Sequence, residues 1–409
     1  MPESQRSRGS SVAFTPGRIG ALTLRNRVIK TATYEGMSPG GIPSEALIDH
    51  HRRLAAGGVG MTTVAYCAVS PDGRTFSEQM VMRKEIVPHL RRLTDAVHAE
   101  GAAASLQLGH CGTFTRNEQL SIPRPLGPSF RINSYGIASG MFFAAAMTEA
   151  DIAATVEEFG AAAAMAVEAG FDAVEIHLGH GYLLSQFLCP AVNRRRDRYG
   201  GSLENRLRLP VAVLGRVRAA VGSGTALLAK TNLRDGFAGG LGLEEAVAVA
   251  RRLEGEGVDA IVLSGGFTSR TPLYLLRGGR PLREMIEVEP SRLQRLALRV
   301  FGPFLVKAYP FEEMFFLEDA KTVREAVRLP LVLLGGIVSL ENIETAMDQG
   351  FEFVAMGRAL IADPGLIRDM QRGAVERTRC DSCNKCIAEM DRGGVRCVLD
   401  ATSPSGSSG

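Results

Sequence analysis

Eight short apolar runs, at 27–33, 61–69, 103–108, 172–176, 226–230, 260–263, 331–334 and 353–356, recur along this chain with longer patterned segments between them. Runs this short and this continuously apolar suit strands buried on both faces, the condition of a parallel sheet. The intervening segments 44–56, 86–100, 148–169, 203–221, 243–255, 317–327 and 340–349 carry apolar residues at helical spacing. Several are opened by Ser, Thr or Asp and closed by Gly, the residues that satisfy free backbone groups at helix ends. Parallel neighbours need a crossover, so strand and helix in alternation predict βα units. Eight in succession predict a closed (β/α)8 TIM barrel rather than an open doubly wound sheet. The expected organisation is a flexible N-terminus over 1–12, the barrel over 13–375, a cysteine-rich extension over 376–400 and a flexible Gly/Ser-rich tail over 401–409.

Two interruptions are too long for simple connections. Residues 111–147 follow the third strand and 265–313 follow the sixth, and both are candidate lids over the barrel mouth. Tyr274, Arg277 and Tyr309 in the second are candidate substrate contacts.

Composition narrows the partners. With 409 residues, 45% of them hydrophobic and 22% charged, the chain can bury a full core. A net charge of +3, spread along the sequence, gives no electrostatic footprint for nucleic acid. No apolar run is long enough to span a bilayer, and residues 1–11 lack the apolar centre of a signal peptide. The expectation is a cytoplasmic enzyme acting on a small molecule, with no nucleic-acid or membrane partner and its oligomeric state open.

Catalytic barrels carry their chemistry at the carboxyl ends of their strands. The fourth strand runs directly into His177-Leu-Gly-His180-Gly-Tyr182, which sets two imidazoles and a phenol at the mouth, and these three are the candidate catalytic residues. A His-x-x-His pair is also compatible with a metal site or with packed histidines, although no third ligand lies nearby in sequence. The seventh and eighth strands end in Gly335-Gly336 and Gly357-Arg358, where such barrels commonly bind phosphate through backbone N–H groups. Tight turns alone would also use glycine there. Lys230 closes the fifth strand, as a buried cation, a snorkelling lysine or the Schiff-base amine of a flavin-free aldolase barrel. Cys67, Cys111 and Cys189 are scattered and read as packed reduced thiols. Cys380, Cys383, Cys386 and Cys397 instead form a C-x2-C-x2-C-x10-C cluster suited to a [4Fe-4S] centre or zinc.

Together, the block 177–206, the stretch Leu106-Gln107-Leu108-Gly109-His110, the opening 19–27, the paired glycines and Met356-Gly357-Arg358 resemble the old yellow enzyme family of FMN-dependent NAD(P)H oxidoreductases. The resemblance covers 14–373. The cysteine cluster after the barrel is similar to that of the branch containing 2,4-dienoyl-CoA reductase and trimethylamine dehydrogenase. The resemblance implies FMN over the mouth, its phosphate at Gly335, Gly336, Gly357 and Arg358, and its ring system against Thr31, Ala32, Thr33, Gln107 and Lys230. A fixed cation at Lys230 would stabilise the anionic reduced ring. The implied reaction takes hydride from NADH or NADPH and reduces an activated C=C bond of an enone or enoyl thioester. His177 and His180 would hold the substrate oxygen and Tyr182 would supply the proton. Oxidation of an amine, as in trimethylamine dehydrogenase, is the alternative direction. In the branch, similar cysteines hold a [4Fe-4S] cluster. Tyr34 departs from the smaller residue usual at its position. His110 is expected to support the site, and Arg196, Asp197, Glu204 and Arg206 to lock the loop and helix start together.

Overall fold

The computed structural model describes residues 11–399 of the chain. Eight parallel strands pair in chain order: β1 (Val28–Lys30), β2 (Met61–Ala68), β3 (Ala103–Gly109), β4 (Ala173–Leu178), β5 (Ala226–Asn232), β6 (Ala260–Ser264), β7 (Leu331–Leu334) and β8 (Phe353–Met356). β8 pairs back to β1, so the sheet closes into the expected (β/α)8 barrel. Nearly every strand residue is buried, and each enclosed Val, Leu or Ile contributes roughly 1.5–3 kcal/mol.

The outer layer comprises α1 (Glu45–Ala56), α2 (Val87–Ala99), α3 (Glu149–Glu168), α4 (Leu183–Leu188), α5 (Leu203–Val221) and α6 (Leu243–Gly255). It continues through α7 (Leu282–Val288), α8 (Arg292–Leu305), α9 (Leu317–Ala326), α10 (Leu340–Asp348), α11 (Arg358–Ala362), α12 (Leu366–Gln371) and α13 (Cys386–Glu389). Capping fixes where the crossover helices begin. Thr148 accepts a hydrogen bond from the Asp151 N–H while the Asp151 carboxylate accepts one from the Thr148 N–H, a reciprocal pair that starts α3. Ser44, Ser202 and Ser339 cap α1, α5 and α10 through their hydroxyls. The buried face of α3 is mostly Ala162, Ala163 and Ala166 beside Gly160, where a Cβ would stand 2.6 Å from the Arg216 guanidinium of α5. Small side chains therefore bring these two helices close.

A hairpin of Gly17–Ile19 and Leu22–Leu24 plugs the opposite end of the barrel. A Cβ on Gly17 would sit 2.7 Å from the Phe353 ring and one on Gly20 2.7 Å from Asp259, residues at the amino ends of β8 and β6. The mouth is thereby left to the other end. The expected flexible tails fall outside the described residues except at 11 and 12, where Ser11 caps the short helical turn Val12–Phe14.

Both interruptions hold secondary structure of their own. The one after β3 folds into short strands Leu126–Gly127, Arg131–Ile132 and Phe143–Ala146. The one after β6 contains α7 and α8: α7 leaves its apolar residues half-buried, and among the described residues of α8 only Gly302 is buried. The lock around 193–206 is also made by other partners than expected. Asp197 pairs with Arg195, and Arg206 pairs with Glu245 of α6 and donates to the Leu188 carbonyl.

Candidate active site

A cavity of about 360 Å³ opens at the carboxyl ends of the strands and is lined from every one of them or from the loop that follows it. Its size lies within the range of cofactor and ligand pockets, roughly 300–1,000 Å³. Thr31, Ala32, Thr33, Gln107, His177, His180, Tyr182, Lys230, Gly335, Gly336, Gly357 and Arg358 all line it. Residues gathered from eight strand ends meet here because the parallel register brings them level.

That register sets Lys230 of β5 beside His177 of β4, and Gln107 of β3 beside Glu175 of β4. Lys230 is 1% exposed, and its Nζ donates to Thr31 Oγ1 at 2.9 Å and lies 2.8 Å from Glu175 Oε1. Gln107 Nε2 donates to the same carboxylate oxygen at 2.6 Å. The lysine is thus a fixed ammonium held by an equally buried carboxylate, an arrangement at odds with the aldolase alternative, which needs a free amine. Below it a second buried pair joins Lys30 and Glu35 at 3.7 Å, with His51 Nε2 3.5 Å from the same Glu35 oxygen. Burial pushes the Lys30 ammonium below its ordinary range, with Glu35 opposing. Sequence reasoning missed Glu175, Glu35 and Lys30. The signal for Glu175 was there: one carboxylate inside the apolar strand Ala173-Val-Glu-Ile176 cannot be buried without a partner.

His177 Nδ1 accepts a hydrogen bond from the Gly179 N–H at 3.2 Å, which leaves the ring proton on Nε2. Burial, with His180 and Lys230 nearby, holds this imidazole well below the ordinary histidine range, so it is a neutral donor. His180 differs from expectation. Its Nε2 is already engaged by Ser264 Oγ of β6 at 2.6 Å, so only Nδ1 remains for a ligand, as a donor when the serine hydroxyl donates to Nε2. Burial and Lys230 press its titration down to about 3. Its backbone is left-handed at φ 59°, a conformation that costs a β-carbon residue on the order of 1–3 kcal/mol. The strain is held by the Asn232 side chain, which accepts from the His180 N–H, and by Thr268, whose N–H and hydroxyl both donate to the His180 carbonyl.

The Tyr182 ring stands 4.9 Å from that of His177 and 4.9 Å from that of Tyr66. Burial raises its phenol above the ordinary tyrosine range, which makes it a protonated and reluctant acid. Tyr66, also missed, is committed elsewhere, since its hydroxyl donates to the Gly73 carbonyl at 2.9 Å. His110 accepts from the Gly112 N–H through Nδ1 and does not line the cavity. Tyr34 does line it, edge-on to Phe76 with ring centroids 5.1 Å apart. Tyr274, Arg277 and Tyr309 do not. Tyr274 meets Tyr309 edge to face and carries the Arg277 guanidinium over its ring, while Leu275, Leu276 and Phe311 face the cavity.

The glycine rim fits a phosphate. Gly335 and Gly336 have φ of 104° and 76°, and a Cβ on Gly336 would sit 2.6 Å from the Glu312 carbonyl oxygen. Only glycine allows this backbone conformation and close approach. Arg358 lies on the wall between this rim and the cysteine loop, donating to the Arg277 carbonyl and to Asn384 Oδ1. Donors at one end, a fixed cation and amide at the other and an apolar floor between them suit FMN.

The four clustered cysteines line one small neighbouring cavity with Arg358 and Asn384. Ser382 and Asn384, both left-handed, curl the loop around Cys383. All four are free thiols, and among the described residues no three His, Cys, Asp or Glu side chains are set as ligands of one ion. Burial raises the thiols of Cys380, Cys383 and Cys386, the last to about 12. Cys67, Cys111 and Cys189 are buried and unbridged.

Comparison with known proteins bears on the same residues. Residues 13–264 match the model of the NADH:flavin oxidoreductase / NADH oxidase family. The chain is 47% identical over 387 residues to the 4,4'-dithiodibutanoate disulfide reductase of Rhodococcus erythropolis, covering 94% of each. It is 31% identical to the metal reductase of Desulforamulus reducens, covering 96% of this chain and 54% of that one, so it spans about half the length of some relatives. Among solved structures, histamine dehydrogenase from Rhizobium sp. 4-9 superposes with a TM-score of 0.79 at 24% identity, over 96% of this chain and 52% of that one. Morphinone reductase in complex with tetrahydroNAD does so at 0.69 and 23%, over 91% and 93%. These two likenesses speak for the fold. With the family match and the near full-length relative beside the geometry of the mouth, the chain belongs to the NADH:flavin oxidoreductase / NADH oxidase family and is an FMN-dependent oxidoreductase.

Proposed function

We propose that the protein uses NADH or NADPH to reduce an activated C=C bond of a small acceptor, an enone or enoyl thioester, at the cavity mouth. Bound FMN supplies the two-electron chemistry, taking reducing equivalents from the nicotinamide and passing them to the acceptor. Lys230, fixed by Glu175 and Thr31, would hold positive charge where the reduced ring is negative. Gln107 would meet the polar ring edge, and Gly335, Gly336, Gly357 and Arg358 the phosphate. His177 Nε2–H, with His180 Nδ1 when Ser264 donates to that ring, would hold the acceptor's oxygen and draw electron density from the double bond. As one alkene carbon gains hydride, the other takes the Tyr182 proton, and solvent restores the phenol. The observation that carries this reading is a neutral His177, with its proton on Nε2, 4.9 Å ring to ring from a protonated Tyr182.

The relative at 47% identity favours a second reading, in which the acceptor is an organic disulfide. Two electrons then cleave the S–S bond, and Tyr182 protonates one leaving thiolate. We retain Cys380, Cys383, Cys386 and Cys397 as a candidate [4Fe-4S] or zinc site, whose loading would release the thiol protons; iron and zinc analysis of anaerobically purified protein tests it.

NADPH consumption with cyclohexenone and with 4,4'-dithiodibutanoate, for the wild type and Tyr182→Phe, separates the two acceptors. Alkene reduction predicts enone-dependent turnover that falls roughly 100-fold in the variant. Disulfide turnover with no response to any enone would overturn it in favour of the second reading.

A further inference from the structure

Segment 278–309 leaves the barrel and returns at one neck, where the Gly278 N–H donates to the Tyr309 carbonyl at 2.8 Å. The chain on either side of that neck faces the cavity, through Leu275 and Leu276 before it and Phe311 after it. Within the excursion, α8 is amphipathic with its apolar side outward. Leu293, Leu296, Ala297, Val300 and Phe304 recur at helical spacing on the solvent side, with Leu293 69% and Phe304 84% exposed. Gly302 is turned inward, close enough to α7 that a Cβ would stand 2.7 Å from Leu282.

The charge on this helix is one-sided. Arg292, Arg295 and Arg299 follow one edge of the apolar stripe, and between Arg292 and Lys307 there is no carboxylate. The acids of the neighbouring turn are taken, Glu284 by Lys385 at 3.5 Å, Glu287 by Arg392 at 2.9 Å and Glu289 by Arg116 at 3.5 Å. Arg116 belongs to the interruption after β3, so the two excursions touch. That neighbour exposes an apolar patch of its own, with Phe130 and Ile132 each 62% exposed and the Phe130 and Phe143 rings stacked at 5.6 Å.

We propose that this end of the barrel docks on an anionic lipid surface, with α8 lying in the headgroup boundary and the hairpin after β3 as a second contact. An outward apolar stripe edged by arginine and free of acid is the pattern of a helix that lies on a membrane without crossing it. No described helix is long and apolar enough to cross. A two-fold contact with a second copy would join the patch to itself, where no carboxylate is present to meet the arginines. On a membrane the cavity mouth faces the lipid, and an apolar acceptor reaches Leu275, Leu276 and Phe311 without passing through water.

Sedimentation of the purified full chain with vesicles of phosphatidylcholine alone, or of phosphatidylcholine with phosphatidylglycerol, tests this. The expected result is co-sedimentation with the anionic vesicles only, weakened by salt and reduced roughly tenfold or more in Leu296→Glu/Phe304→Glu. Arg292→Gln/Arg295→Gln/Arg299→Gln should lose the preference for anionic lipid. These positions are exposed, so unchanged circular dichroism and melting keep the variants interpretable. Wild-type protein that stays in the supernatant with both vesicle types overturns the proposal. So does a wild-type dimer, seen by light scattering, that the double variant dissociates without any vesicle binding, since the occupant is then a second copy.

Discussion

The junction of β4 and β5 and the excursion after β6 both face the cavity, yet they are built in opposite ways. At the junction the polar groups that line the cavity are buried and tied to partners: Lys230 to Glu175 and Thr31, Gln107 to Glu175, His177 to Gly179. The helices of the excursion bury almost nothing among their described residues, and α8 turns its apolar side outward. The contrast separates two tasks. Positions that must hold charge to a fraction of an ångström are placed on strands whose register is fixed on both sides. Surface contact, which tolerates adjustment, is carried by an element with little packing to lose.

The contrast breaks first at its strongest point. Lys230→Met leaves Glu175 buried without its cation, which should cost roughly 3–5 kcal/mol of stability and abolish retention of FMN. Urea denaturation and the flavin-to-protein absorbance ratio measure both, and a variant that keeps wild-type stability would mean the pair is not what holds the junction. Next, Tyr182→Phe should leave folding intact while alkene reduction falls on the order of 100-fold, about 2.7 kcal/mol of barrel-mouth chemistry separated from barrel stability. Single-turnover reoxidation of the reduced enzyme by enone isolates that step.

Acid sharpens the comparison further. Folded His180 titrates at about 3 against an ordinary 6.5, so the unfolded chain binds its proton first as the pH falls. The stability contributed by the neutral ring is fully present above about pH 6.5 and is lost progressively as the pH falls toward about 3. His177 acts in the same direction. The urea midpoint should therefore drop through that window, and drop less steeply in His180→Asn. The smallest effect belongs to the excursion, where Phe304→Ser should move stability by no more than about 0.5 kcal/mol. A large loss of thermal stability there would show that α8 is packed after all.

How much of this was legible in the sequence follows the same division. Strands buried on both faces, such as 226–230 and 353–356, are read directly from continuous apolar runs, and eight of them between helices leave little choice of fold. His177, Tyr182, Lys230 and the paired glycines were legible because each stands at a strand end, where side chains converge. Ser264 as the partner of His180 was not, because the two lie 84 residues apart and meet only through barrel closure. Glu175 was hidden by its apolar neighbours. The helices α7 and α8 were lost inside a long interruption, since an amphipathic pattern signals burial, and in α8 the apolar side faces out.

The central claim is FMN at this mouth. The most direct test is the visible spectrum of anaerobically purified protein, recorded before and after adding NADPH and again after unfolding. A flavin band that bleaches with NADPH, and stoichiometric FMN released on denaturation, is the predicted result. A colourless protein that takes up no added FMN would contradict the account.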